Sequence, residues 1–251
     1  MSVLALYQRQ FQDAGLVADA EQRAAAERLD EVRAALVAAG PLPAKSWLHR
    51  LRGARRPPVR GLYLWGDVGR GKTWLLDLFF HALPFADKHR WHFHRFMQAM
   101  HGELGGLKGT ADPMRRVAAR LMGGARVLCL DELVVTDIGD AMLLAQLLRA
   151  LIDQGVTLVT TSNAEPDDLY RDGIQRASFL PAIDLLKRHC TVLRLRGDTD
   201  YRLRYLEQVP IYLVPFGPAT DARLAEEFRR LAPDEAEADG LIEIHGRPVR
   251  F

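Results

Sequence analysis

The chain has 251 residues, of which 48% are hydrophobic and 26% are charged, and its formal net charge at pH 7 is +2. This length suits one large domain or a domain with a small appendage, and the composition is that of a soluble globular protein. So small a net charge gives no electrostatic reason to expect a nucleic acid or a membrane as partner. No stretch reaches the roughly 18 apolar residues of a membrane span, and we expect no secretory signal at the N-terminus.

The two cysteines, Cys129 and Cys190, both lie in apolar stretches. Two cysteines within apolar stretches do not indicate a disulfide framework, so they favour a reducing, cytoplasmic location.

The first 57 residues are predicted to form a helical arm and a linker. Apolar residues recur at helical spacing over 3–13 and again over 19–39, and Gly40-Pro41 ends the second helix. A basic cluster follows, made of Arg50, Arg52, Arg55, Arg56 and Arg60. It could contact phosphates or an acidic partner, or it could be a solvated linker. The lack of interleaved aromatic residues favours the linker.

A phosphate-binding loop is predicted after a short apolar strand at 61–65. Gly66, Gly71, Lys72 and Thr73 satisfy the pattern G-x-x-x-x-G-K-[ST], and an apolar helix follows them. Glycines let several backbone N–H groups approach one phosphate, and the lysine adds a positive charge. A glycine turn could match by chance, but the strand and helix on either side argue against it. The predicted nucleotide-binding residues are Gly66, Asp67, Val68, Gly69, Arg70, Gly71, Lys72, Thr73 and Trp74.

Residues 88–96 alternate in a way that predicts a second strand, followed by a helix from Phe96. The alternation would place His92 and His94 on one face. A metal site there would need a third ligand, and none is nearby in sequence, so histidines without a metal are favoured.

An acidic pair ends the next apolar strand. The segment 126–132 has the apolar run Val127-Leu128-Cys129-Leu130, which leads directly into Asp131-Glu132. The carboxylate of Asp131, with the hydroxyl of Thr73, can hold Mg²⁺, and Glu132 can activate the attacking water as a general base. A buried strand followed by a charged turn is the alternative, and the phosphate loop upstream argues against it.

A polar residue also follows the apolar strand at 156–161. Ligands bind at the carboxyl edge of a parallel sheet, so Asn163 is a candidate γ-phosphate sensor. It could instead be a turn-forming asparagine ahead of Pro166.

The predicted fold class is an α/β P-loop NTPase of the ATPase branch. Five apolar strands alternate with helices, which predicts a parallel sheet covered on both faces. The extra strand before the acidic pair and the catalytic Glu132 favour ATPases, and no N-K-x-D segment is present to bind guanine. The core is assigned to residues 58–205.

Several further segments resemble one protein family. They are residues 65–73, 92–97, 130–132 with 136–142, 161–163 with Pro166, 169–170 and 173–176, then 179–181 and 200–202. Together they resemble the family of ZapE and mitochondrial Afg-type ATPases, which belongs to the AAA+ class. The match covers roughly residues 7–205 and is far more specific than a lone phosphate loop.

The resemblance implies an ATP-hydrolysing machine that remodels a protein partner and assembles as a homo-oligomer when ATP is bound. In bacteria that partner would be FtsZ or another division-ring component, and in mitochondria the relatives are linked to turnover of respiratory-chain subunits. The resemblance also implies an arginine that reaches the γ-phosphate of the next subunit. Arg176 is the candidate, with a surface arginine at a helix N-terminus as the alternative. Arg202 is a candidate for a second sensor in addition to Asn163, with a structural salt bridge as the alternative.

The sequence departs from the family pattern in two places. Members continue with a further helical, arginine-bearing region, whereas residues 206–251 offer only a helix over 220–231 and a hairpin over 241–251, so we expect lid residues to be missing. Leu133-Val134 replaces a Phe-Gln pair, and Val134 cannot hydrogen-bond as glutamine would. Two other functions stay open: an ATP-gated binding protein with little turnover, and a helicase-loader-like ATPase acting on DNA.

Overall fold

The computed structural model describes residues 1–14, 19–41, 57–107, 109–196, 217–218, 220–224, 241–244 and 247–250. The chain divides into two compact units, Met1–Tyr201 and Arg202–Phe251. The first unit contains the sheet and the phosphate loop.

A five-stranded parallel sheet forms the centre of the first unit. Its strands are β1 (Gly61–Trp65), β2 (Lys88–His92), β3 (Val127–Asp131), β4 (Thr157–Ser162) and β5 (Cys190–Arg194). Their order across the sheet is β2-β3-β4-β1-β5. Each carboxyl end therefore lies at the same edge, and β4 separates β1 from β3.

Helices cover the sheet and begin where their capping residues allow. They are α1 (Val3–Ala14), α2 (Ala20–Ala39), α3 (Lys72–Ala82), α4 (Phe93–Gly105), α5 (Pro113–Met122), α6 (Ile138–Asp153) and α7 (Leu180–His189). Asp19 caps α2 and Asp137 caps α6, each with its carboxylate accepting from a backbone N–H of the first turn. Pro113 occupies the first turn of α5, as its fixed φ favours.

Two apolar cores lie on opposite faces of the sheet. Successive side chains of β1 point to opposite faces of the sheet and so belong to different cores. Tyr63 packs with residues of α4 to α7, whereas Leu62 and Leu64 pack with α1, α2 and α3. The helical arm is therefore part of the folded core. Helices on both faces of a five-stranded parallel sheet confirm the predicted fold class.

The prediction for residues 88–96 was wrong in its second half. Strand β2 ends at His92, and α4 begins at Phe93. The buried residues Phe93, Phe96, Met97 and Met100 follow helical spacing, and burial of that stripe outweighs the local alternation. His94 therefore lies on a helix, where it contacts Gln98, and does not share a strand face with His92.

Two helical elements precede β5. A short 3-10 turn, Arg176–Ser178, precedes α7, and Pro181 lies in the first turn of that helix. Another short 3-10 helix, Pro166–Asp168, follows β4.

Both cysteines are free and buried, one on β3 and one on β5. Burial raises the pKa of the Cys190 thiol to about 12 and moves that of Cys129 in the same direction. Within the described residues, none of the helices is long and apolar enough to cross a membrane.

In the second unit, β6 (Leu241–Ile244) and β7 (Arg247–Arg250) form an antiparallel hairpin, as predicted. Residues 220–224 have helical backbone. The predictions for residues 50–56, 200–202 and 225–240 fall outside the described residues.

The packing of α2 yields a stability prediction. Leu29 is 1% exposed in the core between α2 and the sheet, so Leu29→Ala should lower the free energy of unfolding by about 2–5 kcal/mol. Val37, on the same helix, is 45% exposed, and Val37→Ala should stay within about 0.5 kcal/mol of wild type. Urea denaturation measures both, and equal losses would mean that the arm is not part of the cooperative core.

Candidate nucleotide site

The phosphate loop connects β1 to α3 through close backbone approaches. A Cβ on Gly66 would lie 2.3 Å from the carbonyl oxygen of Leu195. Gly71 caps α3 with a φ of 82°, and a Cβ there would lie 2.9 Å from Nε2 of Gln22. Larger residues at these two positions would push the loop out of shape. The N–H groups at the start of α3 are thus presented at the carboxyl edge of the sheet, where anions bind readily.

Lys72 reaches back across the loop. Its side chain is almost fully buried, and Nζ donates to the carbonyl oxygens of Gly66 at 2.8 Å and Asp67 at 2.7 Å. The positive charge therefore lies over the first residues of the loop, where it can neutralise bound phosphate oxygens.

Asp131 is the most heavily bonded acid of the site. It is 5% exposed. Its Oδ1 accepts from the hydroxyls of Thr73 at 3.1 Å and Thr161 at 2.6 Å, and its Oδ2 accepts from Arg90 at 3.1 Å. Arg90 also pairs with Asp77 at 3.0 Å. Burial raises the pKa of Asp77, and the charge of Arg90 opposes that shift.

Glu132 follows the strand in a left-handed backbone conformation, with a φ of 54°. Its N–H donates to the Thr161 hydroxyl at 2.9 Å, and its carboxylate accepts from Nε2 of His92 at 3.0 Å. A positive φ is uncommon outside glycine and is typical of functional turns. The backbone of Glu132 is therefore fixed, while its half-exposed carboxylate faces solvent and His92.

Asn163 directly follows β4 at the same edge of the sheet. Trp65 pairs with Ser162, and the Gly66 N–H donates to the Ser162 carbonyl at 3.3 Å. Asn163 is exposed beside the beginning of the phosphate loop, which is where a γ-phosphate sensor would have to lie.

The acidic turn after β3 is tied to β4 as well. Ser162 donates to the carbonyl of Leu133 at 2.8 Å. Leu133 is buried, and Val134 is exposed. The apolar residue at 133 thus fills a core position, and the residue at 134 faces outward.

Arg176 has partners within its own loop. Its guanidinium donates to the backbone carbonyl of Asp167, whose carboxylate pairs with Lys187 at 2.6 Å. Among the described residues, no hydrogen bond or ion pair joins Arg176 to Lys72, Asp131 or Glu132. Arg176 is therefore bonded within its own loop and not to the lysine or the acids of the nucleotide site.

Asp131 and Thr73 also fit the predicted Mg²⁺ site. They bring a carboxylate and a hydroxyl oxygen together beside the loop, and Mg²⁺ prefers such hard oxygen ligands. The described residues contain no group of three or more His, Cys, Asp and Glu side chains that could hold a metal. Mg²⁺ in phosphoryl-transfer sites takes only one or two protein ligands, because phosphates and water supply the others.

Sequence reasoning missed four residues that contact the site: Arg90 and His92 on β2, Thr161 on β4 and Gln22 on α2. Gln22 did carry a signal, because it is a polar residue on the apolar face of α2. The other three contact the acids across neighbouring strands, so identifying them required the strand order.

A sheet ordered β2-β3-β4-β1-β5, with a phosphate loop after β1 and an acidic pair after β3, defines a P-loop ATPase fold of the AAA+ class. A family model described as AFG1-like ATPase matches residues 1–251, and the chain belongs to that family. The resemblance inferred from the motifs is therefore confirmed.

Individual relatives agree with this membership. Cell division protein ZapE of Escherichia coli K12 is 50% identical over 195 residues, which are 78% of this chain and 52% of ZapE. Lactation elevated protein 1 homolog B of Danio rerio is 34% identical over 206 residues, with 76% and 41% of the two chains covered. The chain thus spans about half the length of the curated relatives it matches.

Among solved structures, AMPPCP-bound DnaA from Aquifex aeolicus superposes with a TM-score of 0.50 and 16% identity. The match covers 86% of this chain and 63% of DnaA. At this identity the likeness is one of fold.

The Thr161 hydroxyl yields a prediction about the site. Thr161→Val keeps the shape but leaves a buried carboxylate oxygen and the Glu132 N–H without this partner, so the free energy of unfolding should fall by about 1–3 kcal/mol. Thr160→Val removes a neighbouring hydroxyl with only a 3.5 Å contact and should cost less than about 1 kcal/mol. Thermal and urea unfolding compare the two, and equal costs would contradict the assigned network.

Proposed function

We propose that the chain hydrolyses ATP to ADP and phosphate in an Mg²⁺-dependent reaction. The observation that carries this proposal is the 3.1 Å contact between the Thr73 hydroxyl and the Asp131 carboxylate. It joins the phosphate loop to the acidic strand end across the intervening strand β4. Membership of the AFG1-like ATPase family supports the same activity.

Each residue of the site has a role in this reaction. The loop amides and Lys72 bind the phosphates, and Asn163 contacts the γ-phosphate. Thr73 and Asp131 hold Mg²⁺, which when bound neutralises the phosphate charge that develops during transfer. Glu132 accepts a hydrogen bond from the attacking water and orients it in line with the γ-phosphate.

A homo-oligomer would complete the site. Arg176 is bonded to the backbone carbonyl of Asp167, and this contact with a neutral oxygen could be exchanged for one with a phosphate. In the proposed assembly it stabilises the charge on the γ-phosphate of the neighbouring subunit.

We further propose that hydrolysis is coupled to remodelling of a protein partner in the cytoplasm. The E. coli relative is a cell division protein, which supports a division-related partner such as FtsZ. The DNA alternative has less support, because Arg60, the described member of the basic cluster, is bonded to the carbonyls of Lys187 and Cys190.

One observation favours the second candidate, a nucleotide-gated binding protein with little turnover. The carboxylate that should orient water is held by His92 at 3.0 Å. If that bond persisted with ATP bound, the chain would bind nucleotide stoichiometrically and release phosphate slowly. Single-turnover phosphate release separates the two functions.

The general-base role predicts a split between binding and turnover. Glu132→Gln should bind ATP with an affinity near that of wild type and lower kcat by about 10²-fold or more, because an amide cannot accept the proton of water. Nucleotide titration and a phosphate-release assay measure the two quantities. Glu31→Gln, an exposed substitution on α2, is the control and should leave both unchanged. Unchanged turnover in Glu132→Gln would refute the role of Glu132.

Lys72→Ala should instead lose nucleotide binding, because the substitution removes the positive charge at the phosphate loop; the same nucleotide titration measures this loss.

The trans role of Arg176 predicts complementation between inactive variants. Arg176→Ala should bind ATP but hydrolyse it slowly, and wild-type specific activity should rise with protein concentration. Mixing Arg176→Ala with Lys72→Ala should restore part of the activity, because one subunit supplies the nucleotide site and the other the arginine. Arg171→Ala, an exposed neighbour paired with Asp168, is the control. Failure of the mixture to exceed its components would argue against a shared site.

A further inference from the structure

A groove lies on the surface of the helical layer formed by α5, α6 and the start of α7. Its volume is about 560 Å³, which is within the range of ligand-binding clefts. The side chains that line it include Met114, Arg115, Met142, Gln146, Arg149 and Pro181. None of its lining residues is a phosphate-loop residue, Asp131, Glu132 or Asn163, so the groove is separate from the nucleotide site.

One face of α6 runs along the length of the groove. Met142, Gln146, Arg149 and Asp153 recur at helical spacing, so they lie on the same side of the helix. Between the first and the last of them the helix rises about 16 Å, which is the length of about five residues of extended chain. The groove therefore has the dimensions of a short extended peptide.

The groove presents an apolar surface. Met114 and Ala150 are buried in its floor, whereas Met142 is 45% exposed. Ile138, one turn earlier on α6, and Leu180, at the start of α7, are exposed as well. An apolar patch of this kind is typical of protein-binding surfaces, and methionine side chains adapt to apolar partners of different shape.

Two arginines without partners line the same groove. Among the described residues, neither the guanidinium of Arg115 nor that of Arg149 has a hydrogen bond or an ion pair. The acids of the groove are already engaged. Asp112 caps α5, where the helix dipole offsets its charge. Burial and two nearby arginines lower the pKa of His189, and the charge of Asp153 opposes them, so Asp153 already faces a basic neighbourhood. The charge that the groove offers to a ligand is therefore positive.

We propose that this groove binds a short extended segment of a partner protein in which acidic side chains flank an apolar one. The apolar side chain packs against Met114 and Met142, and the carboxylates pair with Arg115 and Arg149. This inference deepens the proposed function and rests on it for one point, that the chain acts on a protein partner. It assigns to that partner a surface away from the nucleotide and a chemistry that recognises it.

A second copy of this chain fits the groove less well than a segment of another protein. Among the described surface acids, Glu27, Glu31 and Glu103 each pair with an arginine of their own chain. A second copy that used such acids would exchange one surface ion pair for another, with little net gain. A partner segment with unpaired carboxylates gains new ion pairs without breaking old ones.

The test begins with selection of peptides on the full chain. A phage-displayed library of random dodecapeptides is panned on the immobilised protein, and the enriched sequences are synthesised with a fluorescent label. They should be richer in Asp, Glu and apolar residues than the starting library. Fluorescence anisotropy then measures their Kd, which should rise by about 5-fold or more between about 0.05 M and about 0.5 M salt, because salt screens the ion pairs.

Charge reversal in the groove tests the site itself. Arg115→Glu and Arg149→Glu should each raise the Kd of the selected peptides by about 5-fold or more, because an attractive pair becomes a repulsive one. Arg116→Glu, an exposed neighbour on α5 outside the groove, is the matched control and should keep the wild-type Kd. Met142→Ala should raise the Kd by about 3-fold or more, because it removes apolar contact area.

Three outcomes would overturn the proposal. The first is a selection that enriches no acidic, apolar sequences, and the second is an equal Kd for wild type and both groove reversals. The third is a change in the sedimentation coefficient of the peptide-free chain on charge reversal, which would assign the groove to a second copy. In each of these the ATPase function stands if wild type hydrolyses ATP, because the peptides are titrated without nucleotide. Thermal melts check folding, and Arg115→Gln and Arg149→Gln replace any reversal that unfolds the chain.

Discussion

One buried hydroxyl holds the two acids of the nucleotide site together. The Thr161 hydroxyl on β4 donates to the Asp131 carboxylate and accepts from the Glu132 N–H. It therefore fixes the side chain of Asp131 and the backbone of Glu132. A buried carboxylate is tolerated only when its oxygens are satisfied, and Asp131 has three donors. The placement of Glu132, and hence of any water it would activate, depends on this arrangement.

Strand β2, which pairs with β3 on the side away from β4, also provides side chains that contact the two acids. Arg90 and His92 are two residues apart on β2, so both side chains lie on one face of the strand. The first contacts Asp131 and the second contacts Glu132, in register with the pairing of His92 with Asp131. Each acid therefore has a partner on both flanking strands, and the positive φ of Glu132 is maintained by contacts from two directions.

Local sequence was sufficient for most of the fold and for part of the site. The span of β1 was predicted to the residue, because its short apolar run stands between Gly61 and the glycine-rich loop that starts at Gly66. The boundary at His92 was missed, because Trp91 and Phe93 alternate with polar residues as in a strand, although Phe93 is already the first buried residue of helix α4. Thr161 and Gln22 were missed for another reason. Their partners are about 30 and about 48 residues away, and only packing brings such pairs together.

The strand order has a consequence for how the protein is made. Strand β1 pairs with β4 and β5, which follow it by roughly 100 and 130 residues, so the loop stays without its neighbours until most of the first unit has been synthesised. Parallel pairings of this kind close long segments and form slowly. On the ribosome, the phosphate loop therefore emerges early but gains its acidic partner and its supporting strand only after residue 162 has been released. Nucleotide would then bind late in folding, to a nearly complete domain, and could favour the last parallel pairings by mass action.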